Sequence, residues 1–114
     1  MAVIDLQPGS TLDLARGDTV VLIPLFGAHA EFVRCISSVF AHTPPEVPVL
    51  VADDAGPDPA SRTWTQELLE ANASPRDIHW LRQPANLGFV GNVNAGFAAA
   101  APADVVILNS DCEA

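Results

Sequence analysis

The stretch Val20-Val21-Leu22-Ile23-Pro24 decides the fold class of this 114-residue chain. Its four apolar residues, mostly β-branched, lack the polar alternation of a strand with one face in water. They therefore predict a short strand that is buried on both faces, as in a parallel sheet covered by helices. Because proline has no backbone N–H and interrupts a sheet ladder, the strand is expected to stop at Pro24.

The rest of the chain repeats this short apolar run in alternation with helical patterns. Further apolar runs occupy residues 49–52 and 105–108, and residues 78–81 predict another short strand. Between them, apolar residues recur at helical spacing and predict helices over residues 30–41, 60–71 and 90–100. Strands that alternate with helices form right-handed crossovers. The sequence thus predicts an α/β fold of three layers, α/β/α, around a mostly parallel, Rossmann-like sheet.

The segment before the first strand does not follow this repeat. We interpret residues 1–18 as an N-terminal arm or hairpin and residues 19–114 as the domain. With 49% hydrophobic and 17% charged residues, the chain has enough apolar material for one packed core.

The charge balance argues against a nucleic-acid-binding surface. Fourteen acidic residues outnumber five basic ones, and the net charge is -9. The basic residues are scattered arginines: Arg16, Arg34, Arg62, Arg76 and Arg82. They form no cationic footprint for a phosphate backbone, so we expect no nucleic-acid partner. The acidic excess favours solubility, and it also suits a carboxylate-lined site that a divalent cation neutralises.

The sequence predicts neither a membrane span nor an export signal. No apolar run approaches the roughly 20 residues that cross a bilayer, and residues 1–18 lack the layout of a signal peptide. Cys35 and Cys112 are far apart in sequence, and we interpret both as reduced thiols. We expect a cytoplasmic protein, with a peripheral position at the inner face of the membrane as the alternative for a longer form.

Polar residues follow three of the predicted strands at their carboxyl ends. These are residues 24–27, Asp53 with Asp54, and residues 109–111. Ligands of open α/β sheets bind beyond these strand ends. A carboxylate at Asp53 or Asp54 can accept a hydrogen bond from a base imide or a ribose hydroxyl, although it can also begin a turn and cap a helix. Asp111 suits a Mg²⁺ or Mn²⁺ ion that bridges a diphosphate.

Residues 86–96 place asparagine and glycine where the third predicted helix begins. Such a start offers backbone N–H groups to an anionic ligand, and a plain helix N-cap is the alternative. Gly96, inside the helix, is predicted to permit close packing on the sheet. Arg82, just before this loop, is interpreted as part of a surface ion pair rather than as a phosphate ligand.

Four motifs, in this order and spacing, resemble those of the family 2 glycosyltransferases. Residues 21–27 resemble the opening V-I-I-P-x-Y-N, and residues 51–58 resemble V-D-D-G-S-x-D. Residues 86–96 are similar to N-x-G-x…N-x-G, and residues 108–111 are similar to the strand that ends in the D-x-D metal motif. The resemblance covers roughly residues 19–114. It implies the nucleotide-sugar-binding half of a GT-A fold.

The resemblance also implies roles for particular residues. The nucleotide-sugar site would comprise Pro24, Phe26, Asp53, Asp54, Asn86, Gly88 and Asn94. Asp111 would coordinate Mg²⁺ or Mn²⁺ on the diphosphate. The donor would be a UDP- or TDP-linked sugar, transferred with inversion to a hydroxyl of a glycan or lipid-linked acceptor.

The chain departs from the family pattern at several positions. Phe26 stands where the family usually has tyrosine, Gly27 replaces asparagine, and Asn109 replaces the first aspartate of D-x-D. In this family the general base follows the metal motif, so it is expected beyond Ala114 and the chain is expected to be truncated. We therefore expect little transfer by these 114 residues alone, with a non-catalytic nucleotide-binding remnant as the alternative. The sheet edge left uncovered is expected to promote self-association.

Overall fold

The computed structural model describes residues 2–26, 29–55, 60–71 and 76–109. Within them, five strands and three helices follow one another along the chain. In order these are β1 (Val3–Leu6), β2 (Thr19–Leu25), α1 (His29–His42), β3 (Val49–Asp53), α2 (Ala60–Ala71), β4 (Ile78–Arg82), α3 (Gly88–Ala100) and β5 (Asp104–Ile107). The helices and the predicted strands agree with the sequence analysis to within about two residues at each end.

The strands form one sheet in the order β1-β4-β3-β2-β5, and every neighbouring pair is parallel. This confirms the predicted α/β class, with a sheet that is parallel throughout the described residues. Because all strands run in one direction, their carboxyl ends lie along a single edge of the sheet. The site residues predicted at strand ends therefore belong to that edge.

Helices cover both faces of the sheet, which confirms the predicted three layers. One core combines α1 and α2 with one face of the sheet, and its largest buried side chains include Phe32, Ile36 and Trp80. The second core joins α3 to the opposite face through residues such as Val93, Leu22 and Leu50. The central strand β3 is buried along its whole length, as its apolar sequence predicts.

Gly96 brings α3 unusually close to the sheet. A Cβ atom added at this glycine would lie 2.7 Å from Cδ1 of Leu22. That separation is far below an ordinary carbon–carbon contact, so only glycine fits at this position without a shift of the Leu22 side chain or of the helix. The prediction that Gly96 permits close packing is confirmed.

Pro24 lies inside β2 rather than stopping it, and that sequence prediction is wrong. In a parallel ladder, alternate residues direct their backbone groups to opposite neighbours. The carbonyl of Leu22 accepts a hydrogen bond from Leu108 N at 2.9 Å, so Pro24, two residues later, faces the same side. The paired segment of β5 ends earlier, at Ile107. The absent N–H of Pro24 therefore breaks no bond of that segment, and β2 continues beside β3.

Of the two alternatives for the leading segment, an arm or a hairpin, the structure shows an arm that contributes the edge strand β1, Val3–Leu6. It pairs in parallel with β4, so it does not form a hairpin. Val3 N donates to Oε1 of Gln66 in α2 at 2.8 Å, and the Arg62 guanidinium donates to both carboxylate oxygens of Asp5 at 2.9 and 2.8 Å. The sequence pattern did not predict this strand, because residues 7–18 connect it to β2 without a helix. The alternation of strand and helix therefore begins only at β2.

No described helix is both long and apolar enough to cross a membrane.

Candidate functional site

The carboxyl edge of the sheet gathers most of the predicted site residues. At the end of β2, Pro24 is buried, and Phe26 is 54% exposed. At the end of the neighbouring strand β3 are Asp53 and Asp54, and Leu25 of β2 is in register with Asp53. Asp54 N donates to the Leu25 carbonyl at 2.8 Å, which fixes these two strand ends side by side. An exposed aromatic ring and a carboxylate thus come from adjoining strand ends.

Asp53 points toward the face of the sheet that α1 and α2 cover. The residue is 5% exposed, and its Oδ2 atom accepts hydrogen bonds from Trp80 Nε1 at 3.2 Å and from the Arg82 guanidinium at 3.1 Å. An ionised carboxylate becomes tolerable at this depth because both partners are donors and one is a cation. The Asp53 side chain is therefore committed to its own protein neighbours.

Asp54 forms a hydrogen bond with the loop that leads into α3. It is 4% exposed, and its Oδ1 atom accepts the backbone N–H of Leu87 at 2.6 Å. The sequence offered two roles for this carboxylate, a ligand contact or a cap on the helix that follows it. The helix that follows Asp54 is α2, whereas the bonded amide of Leu87 lies before α3, so this contact is not a cap on α2. The carboxylate instead joins the second motif of the sequence to the third.

The loop before α3 is shaped by Asn86 and Gly88. Asn86 Oδ1 accepts the N–H of Gly88 at 2.9 Å, and Gly88 has a φ of 77°, a left-handed conformation that favours glycine. Leu87 occupies the N-cap position without a side-chain cap, so Asn86 is not the N-cap residue. Asn94 lies on α3 and is exposed. The loop therefore presents Asn86, Leu87 and Gly88 to solvent at the carboxyl edge.

A buried amide network lies beneath this loop, and the sequence analysis missed it. Gln83 and Asn92 are 4% and 2% exposed. Gln83 Nε2 donates to Asn92 Oδ1 at 3.1 Å, and Asn92 Nδ2 donates to the Ala52 carbonyl at 2.7 Å. The backbone N–H of Gln83 also donates to the Asp53 carbonyl at 2.8 Å. One signal was available in the sequence, because Asn92 lies four positions before the close-packed Gly96 and so shares its helix face.

Arg82 is the arginine that ends a strand at this edge. Its side chain is 51% exposed although its ion-pair partner Asp53 is buried. The other arginines are placed differently. Arg62 pairs with Asp5 of β1, and Arg76 is buried beside the backbone carbonyls of residues 43 and 47. The ion pair predicted for Arg82 is present, and it anchors the guanidinium over the end of β3.

Several predicted site residues lie outside the part of the chain that the structure describes. They are Gly27, residues 56–58 of the second motif, Ser110, Asp111 and Cys112. Asn109, the last described residue, is exposed beyond the end of β5. Across the described ranges, no group of three or more His, Cys, Asp or Glu side chains could hold a metal ion. The described residues alone therefore do not fit a divalent cation, which needs several oxygen ligands.

An apolar groove of about 380 Å³ adjoins the same loop. Residues 8–10 and α3 form its walls, and Leu81, Leu87 and Ala95 are among its lining residues. Such a lining offers few partners to a charged ligand. The charged groups of this edge, Asp53, Asp54 and Arg82, lie at the strand ends and do not line this groove.

Comparison with known proteins adds one finding. The model of the family described as Glycosyl transferase family 2 matches residues 20–114 of the 114-residue chain. No curated protein matches the chain.

Proposed function

Because the chain belongs to glycosyl transferase family 2, we propose that the carboxyl edge of its sheet binds the nucleotide part of a nucleotide-diphosphate sugar. Membership in the family confirms the resemblance drawn from the four sequence motifs. It supports a glycosyltransferase activity, with a nucleotide-sugar donor and an acceptor. The identity of the nucleotide and the course of the reaction belong to the proposal.

The observation that carries the proposal is the pairing of Phe26 with Asp54 at adjoining strand ends. An exposed phenylalanine ring leaves apolar surface in contact with water, and covering it with another flat apolar surface is favourable. A nucleobase is such a surface. Asp54, one strand away, can accept a hydrogen bond from a ring N–H of that base. We assign Phe26 and Pro24 to the base and ribose and Asp54 to the base imide of uridine or deoxythymidine.

The loop residues Asn86, Gly88 and Asn94 complete the proposed donor site. The turn formed by Asn86 and Gly88 lies at the start of α3, where the helix dipole favours negative charge, while the N–H groups of Leu87 and Gly88 themselves donate to Asp54 and Asn86. We propose that this backbone approaches the diphosphate or the donor sugar. Asp53, with its carboxylate committed to Trp80 and Arg82, is not assigned a direct contact with the nucleotide.

For the metal, the proposal rests on Asp111 and the motif that it ends. A bound Mg²⁺ or Mn²⁺ would neutralise charge on the diphosphate leaving group. Asp111 would be one ligand, and the remaining ligands would come from the diphosphate, water or other protein groups. In the proposed reaction, a hydroxyl of a glycan or lipid-linked acceptor attacks the anomeric carbon with inversion, and the nucleoside diphosphate leaves. No described residue is assigned as the general base.

Isothermal titration calorimetry with UDP and TDP, with and without Mn²⁺, tests the donor site. We expect metal-dependent binding that Asp111→Ala abolishes and that Phe26→Ala weakens at least about tenfold, the scale of losing one stacking contact. Glu67→Ala, an exposed change on α2, is the control and should bind as the original chain does. Absence of binding by the original chain to either nucleotide under all conditions would refute the proposal.

We also propose that the β5 edge pairs with a second copy of the chain. Asp104 N donates to the Asp18 carbonyl just before β2, and Leu108 N donates to Leu22 within β2, so the alternate residues Val105 and Ile107 direct their backbone groups away from β2. Val106 and Ile107 are 53% and 42% exposed, which places apolar side chains beside this edge of the sheet, where the described residues contribute no further strand. Light scattering across a wide concentration range should show a mass above the monomer. A monomeric mass throughout would contradict the pairing.

A further inference from the structure

We propose that the apolar groove between residues 8–10 and α3 is a binding site for an uncharged, mainly apolar small molecule that carries one hydrogen-bond donor. Such a site goes beyond the proposed function, because a nucleotide-diphosphate sugar is charged and the charged strand-end residues do not line the groove. The feature that points to a ligand is the side-chain amide of Gln83, which belongs to the groove wall.

The hydrogen bonds of Gln83 fix which end of its amide is left for a ligand. The Ala52 carbonyl can only accept, so the amide atom of Asn92 that meets it at 2.7 Å is the donor Nδ2. Oδ1 of Asn92 is then the atom that faces Gln83, and it accepts from Nε2 of Gln83 at 3.1 Å. Because Nε2 is used in this bond, the remaining polar atom of the Gln83 amide is the acceptor Oε1.

Oε1 of Gln83 is an acceptor without a protein partner in the part of the chain that the structure describes. The side chain donates through Nε2 to Asn92, the backbone N–H donates to the Asp53 carbonyl, and neither bond uses Oε1. Gln83 is only 4% exposed, yet every fully buried polar side-chain atom of the described residues has a partner. Oε1 must therefore reach open space, and the open space that Gln83 lines is the groove.

The rest of the lining determines that the ligand is uncharged. Leu81, Leu87 and alanines of α3 form apolar walls, and no charged side chain is among the described residues that line the groove. An ion placed there would lose water without gaining an ion-pair partner, whereas an apolar molecule gains free energy by leaving water. The groove volume of about 380 Å³ falls within the roughly 300–1,000 Å³ that is usual for small-molecule sites.

A single directed polar contact in an apolar groove sets the orientation of a ligand. Since Oε1 of Gln83 only accepts, the ligand must present an N–H or O–H group to it. A ligand with a lone pair at that position would face the lone pairs of Oε1 and leave both groups unpaired, which lowers the affinity. The site thus selects among apolar molecules by one donor, and the buried Asn92 holds the acceptor in place.

NMR titration of the ¹⁵N-labelled chain with indole and with benzofuran tests this site. Both probes are flat, apolar and uncharged, and benzofuran has an oxygen atom in place of the N–H of indole. We expect indole to shift the backbone amides of Gly9 and Leu87 and the side-chain NH₂ of Gln83, with saturation. Indole should bind about fivefold or more tightly than benzofuran, which is the effect of one hydrogen bond.

Ala98→Leu tests the location of the site. Ala98 lines the groove at an exposed position of α3, so a leucine there should fill the space, keep the helix and weaken indole binding at least about tenfold. Ala41→Leu is the matched control, because it adds the same side chain at an exposed position of α1, on the opposite face of the sheet, and should leave the affinity unchanged. Thermal unfolding checks that both variants are folded.

Equal affinities for indole and benzofuran would overturn the inference, since Oε1 would then not select the ligand. Absence of shifts at the groove residues, or shifts that Ala98→Leu leaves intact, would overturn it as well. If the groove signals of the ligand-free chain move with protein concentration, the occupant is a second copy of the chain, and the proposal is likewise wrong. Failure of the chain to bind UDP would refute the proposed function and leave this site standing, because neither probe carries a phosphate.

Discussion

The carboxylate of Asp54 accepts a 2.6 Å hydrogen bond from the backbone N–H of Leu87, 33 positions farther along the chain. The bond links the end of β3 to the loop that begins α3, and it joins two motifs that are separate in the sequence. The loop therefore depends on a side chain of the proposed nucleotide site. A change at Asp54 should alter both ligand binding and loop order.

Asp54→Ala should loosen the loop before α3. The Leu87 amide loses its acceptor, and a buried hydrogen bond to a charged group contributes about 1.5–3 kcal/mol. We expect that loss in the free energy of unfolding from urea denaturation, with faster hydrogen exchange at Leu87 and Gly88. Asp18→Ala is the control, because Asp18 accepts a local, exposed bond from Ala15 N and should lose much less stability. Unchanged exchange at Leu87 would show that Asp54 does not order the loop.

Asn92→Ala should destabilise the protein although it touches no ligand. The substitution removes the amide between Gln83 and the Ala52 carbonyl, two buried hydrogen bonds of about 1 kcal/mol each, and leaves buried groups without those bonds. We expect a loss of about 2–3 kcal/mol in chemical denaturation. Asn94→Ala is the matched control, since it makes the same change at an exposed position two residues along α3. Equal stabilities of the two variants would contradict this assignment.

Gly96→Ala tests the close approach of α3 to β2. The added Cβ would lie 2.7 Å from Leu22 Cδ1, and overpacking of this kind typically costs about 1–3 kcal/mol despite the better helix propensity of alanine. Thermal unfolding should therefore show a lower midpoint. Ala98→Ser, at an exposed position of the same helix, should shift it little. A stability equal to or above that of the original chain would mean that the helix is not held this close to the sheet.

His79 should make stability depend on pH between neutral and mildly acidic conditions. Burial lowers the pKa of this half-buried residue from its ordinary 6.5, and the Asp77 carboxylate opposes that shift only in part. The unfolded chain thus takes up the His79 proton at higher pH than the folded chain does. The contribution to stability is complete above a pH of about 6.5 and declines as the pH falls toward the lowered folded pKa.

Urea denaturation at several pH values from about 7.5 to 5 measures how the free energy of unfolding changes with pH. His79→Gln should make the free energy of unfolding less dependent on pH. His42→Gln, at the exposed end of α1, should leave the pH dependence unchanged. An unchanged slope in His79→Gln would assign the pH dependence to other groups.

The fold was predictable because its strands have a simple sequence signature. Residues 49–52 are uniformly apolar, and the structure buries all of them in the middle of the sheet. β1 was not predictable in this way, since it is four residues long and has exposed residues in its middle. Its place is set by pairing with β4 and by contacts with α2, and these long-range contacts leave no periodic signal in the sequence.

The grouping of the candidate residues at the carboxyl edge of the sheet was predictable, but their side-chain contacts were not. Parallel strand ends must share one edge, so the sequence could place Phe26 and the two aspartates together. It could not separate Asp53 from Asp54, because their roles depend on Trp80 and Leu87, which approach them from different elements. The buried Asn92 escaped notice for a similar reason, since its partners are Ala52 in β3 and Gln83 just after β4.

NMR titration of the ¹⁵N-labelled chain with UDP and Mg²⁺ tests the central claim, that the carboxyl edge is the nucleotide site, most directly. We predict saturable amide shifts at Phe26, Asp54 and Gly88, with no change at Gly17 and Val47, which line a surface groove near the amino ends of β2 and β3. Shifts confined to Gly17 and Val47, or none at any nucleotide concentration, would contradict the account.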